Sequence, residues 1–69
     1  MIYKLYEYRI IDATGKLINL EQFGGDGTLG HIVAMNERNA VEKVILKVGH
    51  EWYRGKRVSV RLFGNVYDY

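Results

Sequence analysis

The stretch that decides the fold is residues 31–49, whose sequence is HIVAMNERNAVEKVILKVG. Its first five residues, 31–35, are mostly apolar and predict a short strand. Asn36 then favours the start of a helix, because its side-chain oxygen can accept a hydrogen bond from an N–H of the first turn. The apolar residues that follow form one continuous helical stripe: Ala40, Val41, Val44, Ile45 and Val48. Gly49 is well placed to end the helix with a left-handed cap.

The apolar stripe of the helix must pack against a sheet. The residues that precede the helix predict strands of that sheet. Residues 2–12 are dense in aromatic and β-branched side chains with charges interleaved, which is typical of a strand. Residues 13–16 then predict a turn around Gly15. Residues 17–23 predict a second strand, the return arm of a hairpin. Residues 24–30 contain four glycines and predict a loop.

The C-terminal part of the chain predicts a polar connection at 50–55 and a further strand at 56–63. The side chains of this strand alternate between two faces: Val58, Val60 and Leu62 on one, and Arg57, Ser59, Arg61 and Phe63 on the other. That alternation indicates a half-buried strand with a basic outer face. The pair Gly64-Asn65 is expected to turn or end the strand, which leaves 66–69 as a short extension or a loose tail.

These elements predict a single α+β domain over residues 1–69. In it, a small antiparallel sheet of three to four strands packs on one face against a single α-helix, in the order ββ(β)αβ. Sixty-nine residues allow one domain at most.

Composition excludes several classes of protein. The chain has no cysteine and only two histidines, so we expect no disulfide, no structural zinc and no cofactor. No apolar run approaches the roughly 18 residues that cross a bilayer, and the first residues lack the zones of a signal peptide. We therefore expect no membrane partner and a cytoplasmic location. Small chains often gain stability by pairing, so a homodimer is possible.

The sequence Gly-Gly-Asp-Gly-Thr-Leu at 24–29 looks like the nucleotide-binding motif of NAD kinases and diacylglycerol kinases. That family needs a two-domain scaffold far longer than this chain, and its motif opens a helix rather than a strand. A glycine loop without catalytic function is therefore favoured. His31 and His50 lack a nucleophile partner, and no pair of carboxylates invites acid–base chemistry. We expect no catalytic residue and no enzyme activity.

Positive charge is concentrated near the C-terminus. Between Trp52 and Tyr67 lie four cations and no acid: Arg54, Lys56, Arg57 and Arg61. Guanidinium groups can contact phosphate through two hydrogen bonds, and the rings of Trp52 and Tyr53 could stack on unpaired bases. These six residues are the predicted binding site, with RNA or a ribonucleoprotein as the leading partner. An acidic protein surface and an ordinary solvated sheet face remain the alternatives.

A family resemblance points the same way. Residues 32–49, IVAMNERNAVEKVILKVG, resemble the central stretch of the archaeal large-subunit ribosomal protein LX family. In that family an apolar strand ends in Ala-x-Asn-Glu, a helix carries Ala-[Ile/Leu/Val]-Glu, and a glycine closes it. A basic segment and a last strand follow, as do Arg54, Lys56, Arg57 and the strand after them. The resemblance implies a ββαβ fold and contact with ribosomal RNA through the basic segment.

A different function fits the composition as well. Small size, no cysteine, six tyrosines and no catalytic group suit a phage or viral module that binds and modulates a host protein complex. Tyr, Trp and Arg are also the usual hot-spot residues at protein interfaces.

Overall fold

The computed structural model describes residues 2–68, and side chains within 3–64. Strand β1 (Ile2–Ile11) lies at the centre of a three-stranded antiparallel sheet, between β2 (Gly30–Ala34) and β3 (Arg57–Asp68). Helix α1 (Glu37–Val48) covers one face of this sheet, and a single helical turn, α2 (His50–Tyr53), follows it. The predicted α+β class, with its antiparallel sheet and one main helix, is confirmed.

Helix α1 begins and packs as its sequence predicts. The Asn39 N–H donates to Oδ1 of Asn36 at 2.8 Å, which caps the first turn. Ala40, Val44 and Val48 are buried against the sheet, while the flanking members of the stripe, Val41 and Ile45, are half-buried. Gly49 has a φ of 94° with an extended ψ of 139°, so it is not the left-handed cap predicted. It leads directly into α2, which replaces the polar connection expected there.

The central strand supplies three of the eight buried apolar residues in the described part of the chain. Tyr6, Tyr8 and Ile10 point towards α1 and are almost fully buried. Tyr8 and Ile10 join Leu20, Val44 and Val48 in the larger cluster. Since side chains alternate across a strand, Leu5, Glu7, Arg9 and Ile11 of β1 face away from the helix.

The strand predicted at 17–23 is wrong. Only Leu17 pairs with β1, through an isolated bridge to Ile11. The chain then turns inward, because Leu20 is fully buried in the core and a 3-10 turn (Glu21–Phe23) follows it. The Leu20 N–H donates to the Gly27 carbonyl at 2.7 Å, so the backbone bonds within its own loop rather than to a sheet.

Strand β3 is longer than predicted. Gly64 and Asn65 neither turn nor end it, because both pair with β1 and the strand continues to Asp68. The register is irregular at two places on β1, between Tyr3 and Lys4 and between Leu5 and Tyr6, and each absorbs an extra residue on β3. The extension predicted at 66–69 is therefore part of the strand as far as Asp68, and Tyr69 lies outside the described residues.

Candidate nucleic-acid interface

The face of the sheet opposite α1, here called the open face, is not covered by any described element. Residues paired across an antiparallel sheet point to the same side, so the register assigns its side chains. They come from all three strands: Leu5, Glu7, Arg9 and Ile11 from β1, His31 and Val33 from β2, and Arg57, Ser59 and Arg61 from β3. The basic outer face predicted for the last strand is thus one part of a surface to which all three strands contribute.

Three arginines lie together on the open face. Arg9 is paired with Ser59, so its diagonal neighbours on β3 are Arg57 and Arg61, at about 7–8 Å between Cα atoms for such positions. Arg57 and Arg61 are exposed and Arg9 is half-buried. The sequence alone does not point to Arg9, because only the strand order shows that it joins the other two.

Glu7 is the only acid on the open face among the described side chains. It is paired with His31 on one side and Arg61 on the other. Its carboxylate forms an ion pair with the Arg61 guanidinium, although its own side chain is 5% exposed and that of Arg61 is 75% exposed. The negative charge of the surface is therefore neutralised within it.

An aromatic pair crosses the open face. The ring of Phe63, which is 62% exposed, meets the ring of His31 edge-to-face, with centroids 5.5 Å apart and planes at 78°. The two residues belong to opposite edge strands, β3 and β2, so the contact spans the central strand near Glu7. The predicted side of Phe63 agrees with this contact, whereas the exposed position of His31 beside it was not predicted.

The structure places Trp52 and Tyr53 on the helix side of the sheet. Both pack against the larger core cluster. Trp52 meets Phe23 edge-to-face at 4.9 Å, and the Tyr53 hydroxyl accepts a hydrogen bond from the Val58 N–H at 3.1 Å. The stacking function suggested for these two rings stays a prediction, but packing already occupies much of their surface.

The other two predicted cations differ in their freedom. The Lys56 Nζ donates to the Trp52 carbonyl at 2.6 Å and lies 4.6 Å from the centroid of the Trp52 ring, so it is held against α2. Arg54 is exposed at the end of α2, just ahead of β3. Of the six predicted residues, three pack in the helix layer (Trp52, Tyr53 and Lys56), two lie on the open face (Arg57 and Arg61), and Arg54 lies between these groups at the end of α2.

The glycine loop uses its backbone amides internally. The N–H groups of Gly24 and Gly25 bond to carbonyls of Glu21 and Leu20, and Asp26 and Leu29 bond to each other in both directions. A Cβ on Gly25 would lie 2.8 Å from Cβ of Leu20, so this glycine lets the loop close over a core residue. The arrangement suits a structural loop.

Neither a metal centre nor a membrane span is found in the part of the chain that the structure describes. Within these residues, no three acidic or histidine side chains are grouped so as to hold a metal ion. No helix in residues 2–68 has the length and apolar character needed to span a membrane. Comparisons with protein-family models, with curated proteins and with solved structures found no match. The resemblance to the ribosomal protein LX family therefore stays a prediction.

Proposed function

We propose that this protein binds RNA through the open face of its sheet. The observation that carries the proposal is the imbalance of charge there: three arginines stand against one glutamate, which is already paired with Arg61. Arg9 and Arg57 have no acidic partner among the described residues. A guanidinium with no internal partner is free to donate two parallel hydrogen bonds to a phosphate.

The other acids support this assignment by their positions. Of the other acids whose side chains the structure describes, Glu37 and Glu42 lie on α1, Glu51 lies on α2, Glu21 begins the 3-10 turn, and Asp12 and Asp26 lie in loops. Among the described side chains, the open face therefore carries a net positive charge. Such a surface attracts a polyanion, and the attraction weakens as salt screens it.

The test is the salt dependence of binding to a fluorescently labelled RNA, followed by anisotropy between about 50 and 200 mM salt. We expect the affinity to fall steeply over this range. Arg9→Gln and Arg57→Gln should each reduce the slope of log affinity against log salt, by about 0.7 for each single-strand phosphate that is no longer neutralised. Arg54→Gln tests in the same way whether Arg54, the predicted cation that precedes β3, contacts a phosphate.

Arg38→Gln is the matched control, because it removes the same charge from an exposed position on α1. It should leave the slope nearly unchanged. If Arg38→Gln weakened binding as much as Arg57→Gln, the attraction would be a property of net charge and the open face would have no special role. Arg61 is a poor first choice for substitution, because its loss leaves the Glu7 carboxylate buried without its cation.

Ribosomal RNA fragments are the first ligands to try, given the resemblance of residues 32–49 to the LX family. Random RNA of equal length serves as the comparison. Equal binding to both would support a general RNA-binding function and remove the support for a ribosomal one.

A protein partner is the second candidate, and the outer side of α1 favours it. Leu46 is 71% exposed and, with Glu42, Ile45 and His50, lines a shallow apolar depression. A pull-down from lysate with and without RNase separates the candidates. Capture that survives RNase and is abolished by Leu46→Ala supports a protein partner. Capture that is abolished both by RNase and by Arg57→Gln supports RNA.

A further inference from the structure

We infer that the RNA bound by the open face is single-stranded, with an unpaired base stacked on the aromatic pair of Phe63 and His31. This inference rests on the proposed RNA binding and adds to it the class of RNA and the residues that select it. The arginines supply attraction to any phosphate backbone, whereas an aromatic ring selects for bases that are free to leave their own stack.

Both residues of the aromatic pair, Phe63 and His31, are exposed. Phe63 leaves most of its surface open to solvent, on a face where the apolar neighbours Leu5, Ile11 and Val33 are half-buried. Leu62 and Leu17, which are also exposed, carry no aromatic ring. The packing of the chain does not explain why so large a ring is exposed, because no core cluster of the described residues includes Phe63.

The two rings meet edge-to-face. In an edge-to-face pair the edge of one ring meets one face of the other, so that contact leaves both faces of the first and one face of the second uncovered. The pair therefore offers a flat apolar surface to a third ring. A nucleobase has such a surface in every sequence, so stacking there tolerates many sequences.

The aromatic pair lies close to two arginines of the open face. Arg61 lies two residues before Phe63 on β3, and its guanidinium is fixed beside Glu7 while its side chain remains largely exposed. Arg9 lies diagonally across from Arg61 on the central strand. A base stacked on Phe63 would therefore carry its flanking phosphates towards these arginines. A duplex keeps its bases stacked on one another and can use only the charges.

Trp52, the only tryptophan, gives an independent signal. It lies on the helix side of the sheet, against Phe23 and under Lys56. A base stacked on Trp52 would quench its fluorescence, whereas a base stacked on Phe63 would leave it nearly unchanged.

The experiment compares a single-stranded RNA with the duplex of the same sequence, by anisotropy at one salt concentration. We expect the single strand to bind more tightly. Phe63→Ala should weaken single-strand binding roughly 5- to 150-fold, the range for loss of one base–aromatic stack, and should change duplex binding little. Phe63→Leu keeps an apolar side chain and should show most of the same loss. Leu62→Ala, at an adjacent exposed position, is the matched control and should bind as the unaltered protein does. Circular dichroism confirms that each variant is folded.

These measurements distinguish failure of the stacking site at Phe63 from failure of RNA binding by the open face. Salt-sensitive binding that Arg57→Gln weakens and Phe63→Ala leaves unchanged would overturn the stacking site while keeping the RNA function. Equal affinity for single strand and duplex would do the same. If RNA quenched the fluorescence of Trp52 and still did so in Phe63→Ala, the base would be stacked on the helix side of the sheet. That result would overturn the inference. Absence of salt-sensitive RNA binding in the unaltered protein would overturn both.

Discussion

The ring of Tyr8 lies directly against Gly30, its partner across strands β1 and β2. A Cβ built on Gly30 would lie 2.6 Å from Cε1 and 2.7 Å from Oη of that ring, far inside van der Waals contact. Tyr8 is 1% exposed and surrounded by the core, so its ring has no room to move away. The absence of a side chain at the start of β2 is what allows the largest core residue to fit.

Gly30→Ala should therefore destabilise the protein by about 1–3 kcal/mol, the usual cost of overpacking a core. Urea unfolding followed by circular dichroism measures the effect. Gly64→Ala is the control, because it lies in β3 with open space around its Cα and should be close to neutral. The double variant Gly30→Ala/Tyr8→Leu should cost less than the two single changes added together, since the smaller side chain relieves the overlap. Strict additivity would show that the Tyr8 ring is not the obstacle.

The cap of α1 gives a second prediction. Asn36→Ala removes the side-chain oxygen that accepts the Asn39 N–H, and we expect a loss of about 1 kcal/mol in the free energy of unfolding. Asn36→Asp and Asn36→Ser both keep an acceptor at this position and should retain most of the stability. If all three variants lost stability equally, the hydrogen bond would not be the source of the effect.

Because the hydroxyl of Tyr8 is buried, we also expect the protein to lose stability in alkali. Burial raises the pKa of this hydroxyl above the ordinary value of 10.0, because the charged phenolate is disfavoured in the core. A raised pKa in the folded state stabilises the fold below the ordinary pKa, and this contribution is lost as pH rises from about 10 through the folded-state value. In urea unfolding from pH 8 upward, the stability of the unaltered protein should fall relative to that of Tyr8→Phe. Parallel curves for the two proteins would contradict the prediction.

The hydrogen-bonded carboxylate of Asp12 leads us to expect a loss of stability in acid. Its pKa is lowered chiefly by a hydrogen bond from the Thr14 hydroxyl, and further by the Lys16 N–H. A lowered pKa contributes stability that is present above the ordinary value of 3.8 and is lost as pH falls through the folded-state value. Asp12→Asn should therefore unfold with a weaker dependence on pH in acid. Thr14→Ala, which removes only the largest cause, should reproduce part of that change.

The parts of the fold that sequence predicts are those set by local chemistry. Asn36 and the stripe of α1 act within a few residues of one another, so their spacing is enough to place the helix. The strand predicted at 17–23 failed because Leu20 is drawn into a core formed by distant residues. A tertiary contact of this kind leaves no periodic trace in the local sequence.

The candidate site was predictable only in part, for the same reason. Alternation along β3 predicted that Arg57 and Arg61 share a face. That Arg9, Glu7 and His31 lie beside them depends on the order β2-β1-β3, which a single sequence does not reveal. Trp52 and Tyr53 were grouped with the arginines because they are close in the chain, but the turn of α2 carries them to the other side of the sheet.

The ion pair between Glu7 and Arg61 predicts that its two members will respond differently to neutralisation. Glu7 is buried and Arg61 is largely exposed, so Arg61→Gln leaves an unpaired carboxylate in a poorly solvated position. We expect this change to cost about 1–3 kcal/mol in urea unfolding. Glu7→Gln instead leaves the Arg61 side chain free to turn into solvent, and its cost should be smaller.

RNA binding should change in the opposite sense: Glu7→Gln frees one cation on the open face, so affinity should rise and the salt slope should steepen. Glu42→Gln, which removes the same negative charge from an exposed position on α1, controls for net charge. Equal destabilisation by the two neutralising changes, together with unaltered RNA affinity in Glu7→Gln, would show that the pair neither protects a buried charge nor restrains a phosphate-binding arginine.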